Sequence, residues 1–131
     1  MKCRIVLITL LSVLIAINAS AKELSESAFP YGLLEIRGYP MEMSAAGKFR
    51  IYSGAVTFAE GIFKIDGNKM TISDIDGKYA CWGKSVNPGI YTWAVRDHKL
   101  HLTLIKDNCV ARRTAFLEAP LKISSLNKST K

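Results

Sequence analysis

From Leu33 onward the chain alternates apolar and polar residues in short runs, each closed by Gly, Pro, Asn or Asp. Leu33 to Arg37 reads as a first strand, entered through Tyr31-Gly32 and left through Gly38-Tyr39-Pro40. Met41 to Gly47 ends on Ser-Ala-Ala-Gly and reads as a turn. In Lys48 to Tyr52, Phe49 and Ile51 share one face while Lys48, Arg50 and Tyr52 share the other, the signature of a half-buried strand. Val56 and Phe58 repeat that pattern, and Glu60-Gly61 is expected to turn the chain before Ile62 to Ile65. Asp66-Gly67-Asn68 is a hairpin signal, because Gly and Asn accept the positive φ of tight β-turns.

The same grammar continues through the second half. Met70 and Ile72 alternate with Thr71 and Ser73; Tyr79 and Cys81 are expected on one face of a strand, Ala80 and Trp82 on the other. Lys84 to Gly89 reads as a loop, Ile90 to Val95 as a strand and Asp97-His98-Lys99 as a hairpin turn. Leu100, Leu102 and Leu104 then oppose His101, Thr103 and Ile105. Arg113 to Leu117 and Leu121 to Ser124 are expected as the last strands, with Pro120 between them. The pattern predicts about eight to ten short strands and no amphipathic helix, hence an all-β domain: an antiparallel meander closed into a barrel, or a compact sandwich.

The ends differ in kind. Lys2 and Arg4 precede the apolar run Ile5 to Ile17, and Ala19-Ser20-Ala21 has the small-x-small form of a signal-peptidase site. That run is shorter than the roughly 20 residues a spanning helix needs. Residues 1–21 are therefore expected to be a cleaved signal peptide and 22–30 a flexible lead-in. The barrel domain then covers 31–124 and a polar tail 125–131, with export to the periplasm or outside the cell and no membrane span after processing. Asn127-Lys128-Ser129 fits a glycosylation sequon and reads as accidental in a chain of bacterial appearance.

Lys2 and Arg4 account for two of the chain's +7 formal charges, which leaves +5 spread among acidic residues along the mature chain. This is a solvated, mildly basic surface, without the basic stripe and interleaved aromatics of a nucleic-acid-binding protein. Two cysteines remain after processing, and in an exported chain Cys81 and Cys109 most simply form one disulfide. Closing that loop restricts the unfolded chain by roughly 3.5 kcal/mol in the chain-entropy account.

Four stretches together resemble bacterial lipocalin-like exported proteins, most of them without an assigned function. They are Gly61-Ile-Phe-Lys-Ile-Asp-Gly-Asn, Tyr79-Ala-Cys81, Gly89-Ile-Tyr91-Thr-Trp93, and Leu100-x-Leu102-x-Leu104-x-x-Asp107-x-Cys109-x-x-Arg112. The resemblance runs from about Gly47 to Pro120 and implies an up-and-down barrel of about eight strands. The chain lacks the Gly-x-Trp that ligand-carrying lipocalins place near the first strand.

Candidate chemistry is sparse. Asp107 and Arg112 flank Cys109 between two expected strands, and a carboxylate facing a planar guanidinium fork reads as a structural ion pair that covers one barrel end. His98 and His101 are three apart, so on a strand they point to opposite faces and do not read as a metal site. No nucleophile elbow, phosphate-cradling glycine loop or zinc motif occurs, so neither a cofactor nor an enzymatic reaction is expected. The aromatic residues offer more: Tyr91 and Trp93 share a face, with Tyr79 behind them, as core packing or as walls of a small-molecule pocket.

The functional expectation is thus a monomeric, non-enzymatic barrel that takes a small apolar or amphipathic ligand, or an envelope component, at its mouth. The alternative is a protein-interaction module, such as a hydrolase inhibitor, with the Lys84 to Gly89 loop as its plug.

Overall fold

The computed structural model describes residues 28–124. The expected signal peptide, most of the lead-in, the polar tail and the sequon lie outside them. Eight antiparallel strands form a closed barrel in chain order: β1 (Gly32–Ile36), β2 (Tyr39–Met43), β3 (Lys48–Ser53), β4 (Val56–Asp66), β5 (Lys69–Asp76), β6 (Gly89–Arg96), β7 (Lys99–Lys106) and β8 (Leu121–Ile123). One helix, α1 (Val110–Glu118), lies between β7 and β8. The fold is the up-and-down barrel that the resemblance implies, and of the two architectures the patterning leaves open it is the barrel and not the sandwich.

Alternation along each strand sends one set of side chains inward. Leu34, Met41, Met43, Met70, Ile72, Leu100 and Leu121 are almost wholly inaccessible and form the core with Phe49, Phe63 and Tyr91. Fully burying one such side chain contributes about 1.5–3 kcal/mol, so the stack supplies the barrel's main cohesion. Between Leu34 and Ile123 on β1–β8, and between Leu100 and Leu121 on β7–β8, inward residues meet across the closing pairs. Closure removes the free edges that an open meander would expose.

Four local expectations are corrected. Met41 to Gly47 is not a turn throughout: Tyr39–Met43 is a strand whose Met41 and Met43 are buried on either side of exposed Glu42. Glu60-Gly61 does not turn the chain; it is a bulge within the eleven-residue β4. A Cβ on Gly61 would lie 2.0 Å from the Ser73 carbonyl oxygen, so glycine serves close strand approach there. Tyr79 to Trp82 is loop, not strand. Its start is pinned to β4, where the Lys78 and Tyr79 N–H groups donate to the Thr57 and Phe58 carbonyls.

The fourth correction is the largest. Arg113 to Leu117 belongs to helix α1, where a strand was expected. The helix starts from Cys109, in extended conformation, and buries Arg112 and Phe116, four residues apart on one face. Because only these two positions are buried, the apolar signal is too thin for a 3.6-residue period to stand out.

The barrel's two ends are unlike. At the end of the 44–47, 67–68 and 97–98 turns, Phe29 is buried and its ring lies 5.0 Å from Tyr31, 5.8 Å from Phe63 and 5.2 Å from Trp93. Phe29 thus belongs to the core although its neighbours in sequence suggest only a lead-in. This aromatic cluster closes that end. At the other end α1 covers part of the opening.

Candidate functional site

The covered end is built on Arg112. Its guanidinium has five N–H donors and all are used. Nε donates to Asp107 Oδ2 (2.8 Å), and Nη1 to Asp74 Oδ1 (2.9 Å) and Asn87 Oδ1 (2.8 Å). Nη2 donates to the Val86 carbonyl (2.7 Å) and to Asp107 Oδ1 (2.7 Å). One side chain from α1 thereby ties together the end of β5, the 77–88 loop and the end of β7. The ion pairs with Asp74 and Asp107 are buried, with side chains at most 4% exposed.

Asp107 is equally committed. Besides Arg112 it accepts from the Tyr91 hydroxyl (2.5 Å) and the Cys109 N–H (2.9 Å), while its carbonyl accepts from Arg113 Nη1 (2.9 Å). Burial by itself would push its carboxyl up, but the hydrogen bonds from Arg112, Tyr91 and the Cys109 N–H outweigh that and hold it below the usual carboxylate range. Burial and the Asp107 carboxylate push the Tyr91 phenol far above its ordinary value. Arg112 is held charged: burial opposes its charge, and Asp107 and Asp74 more than restore it.

Cys81 and Cys109 are joined in a disulfide with Cα atoms 5.9 Å apart. It fixes the 77–88 loop to the start of α1, beside the Cys81 N–H bond to Asp74 Oδ2 (2.8 Å). Asn87 completes the loop's root, donating to the Cys81 and Gly83 carbonyls (2.8 and 3.1 Å). Asp74 and the two sulfurs are the one group of potential metal-ligating atoms close together among the described residues. The sulfurs are bonded to each other and the carboxylate is held by Arg112, so the group offers no free ligand set.

Beside this knot lies a cavity of about 650 Å³, a size typical of small-molecule sites. Its walls are Ile36 on β1, Tyr39 on β2, Phe49 and Ile51 on β3, and Phe58 and Ala59 on β4. Ala111, Thr114, Ala115 and Phe116 of α1 face them, and Asp74, Arg112, Tyr79 and Arg37 complete the lining. Phe58 packs between Tyr39 (5.0 Å) and Tyr79 (5.4 Å), forming an aromatic rim. Tyr39 is 44% exposed and Tyr79 57%, and Lys78 Nζ sits 5.4 Å from the Tyr79 ring centre.

The residues expected to form a pocket are not brought together. Tyr79 lines the cavity. Tyr91 is fully buried, its ring 5.3 Å from Phe116 and its hydroxyl on Asp107. Trp93 belongs to the closed end, where its Nε1 donates to the Gly67 carbonyl (2.9 Å). His98 sits in the β6–β7 turn at φ 59°, and His101 on β7 has Nε2 3.3 Å from the Arg96 carbonyl oxygen. In the 84–89 loop, Asn87 and Gly89 are drawn into the knot, leaving Lys84 and Ser85 exposed next to exposed Trp82 and Gly83.

Sequence reasoning did not identify Tyr39, Phe58 or Arg37 as wall residues. Tyr39 shares the period-2 face of Met41 and Met43, a signal that was legible once that segment is read as a strand. No protein-family model, no curated protein and no solved structure matches the chain.

Proposed function

We propose that this barrel is an exported, non-enzymatic carrier of the lipocalin-like kind, holding a small apolar or amphipathic molecule in the cavity between α1 and β2–β4. The observation that carries the reading is the cavity itself. It is lined by Ile36, Phe49, Ile51, Phe58 and Phe116 and rimmed by partly exposed Tyr39 and Tyr79. The charged groups at its base are saturated by one another, so they offer an arriving ligand little beyond a polar floor. Apolar walls with few polar tips suit a ligand held mainly by desolvation.

The test is binding of an uncharged naphthalene dye to the oxidised protein, followed by fluorescence. Saturable enhancement that weakens in Phe58→Ala and is blocked in Ala115→Trp supports the reading. Absence of enhancement in a protein shown by its melt to be folded refutes it.

A second reading, a protein-interaction module, is favoured by Trp82. It is 62% exposed on a loop whose root is held by a disulfide, Asn87 and Arg112. A rigidly rooted loop presenting one large aromatic is a form that binding hot spots take. Trp82→Ala would abolish capture of a partner hydrolase and leave dye binding intact.

A further inference from the structure

The geometry points to a direction for the bound molecule: we propose that the cavity takes a single-chain amphiphile tail first and reads an anionic head at the rim through Arg37, with Glu118 as the competing internal carboxylate. This rests on the cavity reading above.

The base of the cavity excludes a charged head. All five Arg112 donors are engaged, both Asp107 oxygens accept from Arg112, and the Tyr91 hydroxyl is already spent on Asp107. A ligand charge brought there would be desolvated with no counter-ion free to meet it. The apolar end of the molecule therefore lies inward and the head lies at the opening.

At the opening, one cation lines the cavity and remains accessible. Arg37 pairs through Nε with Glu118 Oε2 at 3.0 Å, with side chains 51% and 52% exposed, and among the described residues neither of its Nη groups has a further partner. Glu118 is the last residue of α1, where the helix dipole disfavours a carboxylate, and no basic residue lies in that last turn. Its partner comes from the β1–β2 turn instead. The pair is a clasp from the helix end to the barrel wall, and its exposure allows a second carboxylate to share or displace it.

The backbone at Arg37 is a further sign. Its φ is 52° and that of Gly38 is 85°, the paired left-handed geometry of a tight hairpin, where Asn or Gly is the unstrained choice. A long cationic side chain occupies that position although local geometry does not ask for it. For the same reason Arg37→Asn removes the charge at a site where Asn fits the backbone, so the variant retains its fold.

The experiment uses dodecanoate, dodecanol and dodecylamine, each displacing the same uncharged naphthalene dye from the oxidised protein at neutral pH. In the parent, dodecanoate binds tighter than dodecanol by about threefold to tenfold, and dodecylamine binds weakest, as expected for one exposed charge contact. Arg37→Asn exposes Glu118 alone and inverts the order; Arg37→Asn with Glu118→Gln makes the three equal. Lys78→Gln, beside Tyr79, retains the parental order. High salt collapses the preference, since an exposed pair is screened.

Dye binding with equal displacement by all three chains overturns the rim assignment and leaves the cavity reading standing. So does an order unchanged by Arg37→Asn, or a preference that survives high salt. Failure of the dye and of every chain to bind the folded protein removes the cavity reading as well.

Discussion

Gly89 and Asp107 meet so closely that a Cβ on Gly89 would lie 2.5 Å from Asp107 Oδ2 and 2.7 Å from its Cγ. The first residue of β6 is thus bare because the carboxylate that organises the barrel's covered end lies where a side chain would go. Gly89→Ala is expected to destabilise the fold by roughly 1–3 kcal/mol, the range for overpacking a tight site. Urea unfolding measures it, and an unchanged midpoint would show that Asp107 has room to move.

Breaking the Arg112 knot is expected to be costlier. Arg112→Lys retains charge but supplies three donors where five are used, and Asp107→Asn leaves a buried guanidinium short of a counter-charge. Each should cost about 3–5 kcal/mol, a large share of a small domain's stability. Tyr91→Phe removes one hydrogen bond to a carboxylate that keeps its others, so about 1–3 kcal/mol is expected. Thermal melts should place Tyr91→Phe above both Arg112→Lys and Asp107→Asn.

The same group predicts how stability depends on pH. The Asp107 carboxyl titrates lower in the folded protein than its ordinary 3.8, so its contribution is complete above that value and is lost as pH falls through the folded pKa. The Tyr91 phenol titrates higher than its ordinary 10.0, so its contribution is complete below that value and is lost as pH rises. Between about pH 4 and pH 10 these two groups give a plateau. Denaturant midpoints across and beyond that range should show it, and Tyr91→Phe should flatten the alkaline fall and shrink the acid fall without abolishing it, since the Tyr91 hydroxyl is one of several bonds that hold the Asp107 carboxyl down.

Disulfide removal tests the loop. Cys81→Ser with Cys109→Ser is expected to cost about 2–4 kcal/mol and to free the 77–88 loop from α1. Trp82 is exposed and Trp93 is packed at the closed end, so acrylamide quenching distinguishes them. In the variant the accessible component alone should gain mobility, read as lower fluorescence anisotropy. A uniform change in both tryptophans would mean that the disulfide supports the whole barrel.

The sequence carries the barrel because period-2 alternation survives in β3, β5, β6 and β7, where inward and outward positions differ strongly in polarity. It conceals β2, whose alternation spans only Met41-Glu42-Met43 after Pro40, and α1, which buries just Arg112 and Phe116. The Asp107–Arg112 pair follows from residue chemistry at short range, and the Cys81–Cys109 pair, 28 residues apart, from there being two cysteines outside the expected signal peptide. The cavity does not, since its walls come from β1 to β4, the 77–88 loop and α1. Tyr91 and Trp93 do share the inward face of β6, yet consecutive inward residues on a strand lie at successive depths. Tyr91 therefore reaches the knot while Trp93 reaches the opposite plug, and sharing a face did not amount to sharing a pocket.

The aromatic plug formed by Phe29, Tyr31, Phe63 and Trp93 makes the barrel a cup rather than a tunnel. Under the proposed carrier reading a cup has one doorway, so a guest would leave by backing out past the residues that admitted it. Two guests then compete for the same threshold, and a change at the rim that slows arrival also slows departure. Delivery would have to happen with that doorway turned toward the recipient.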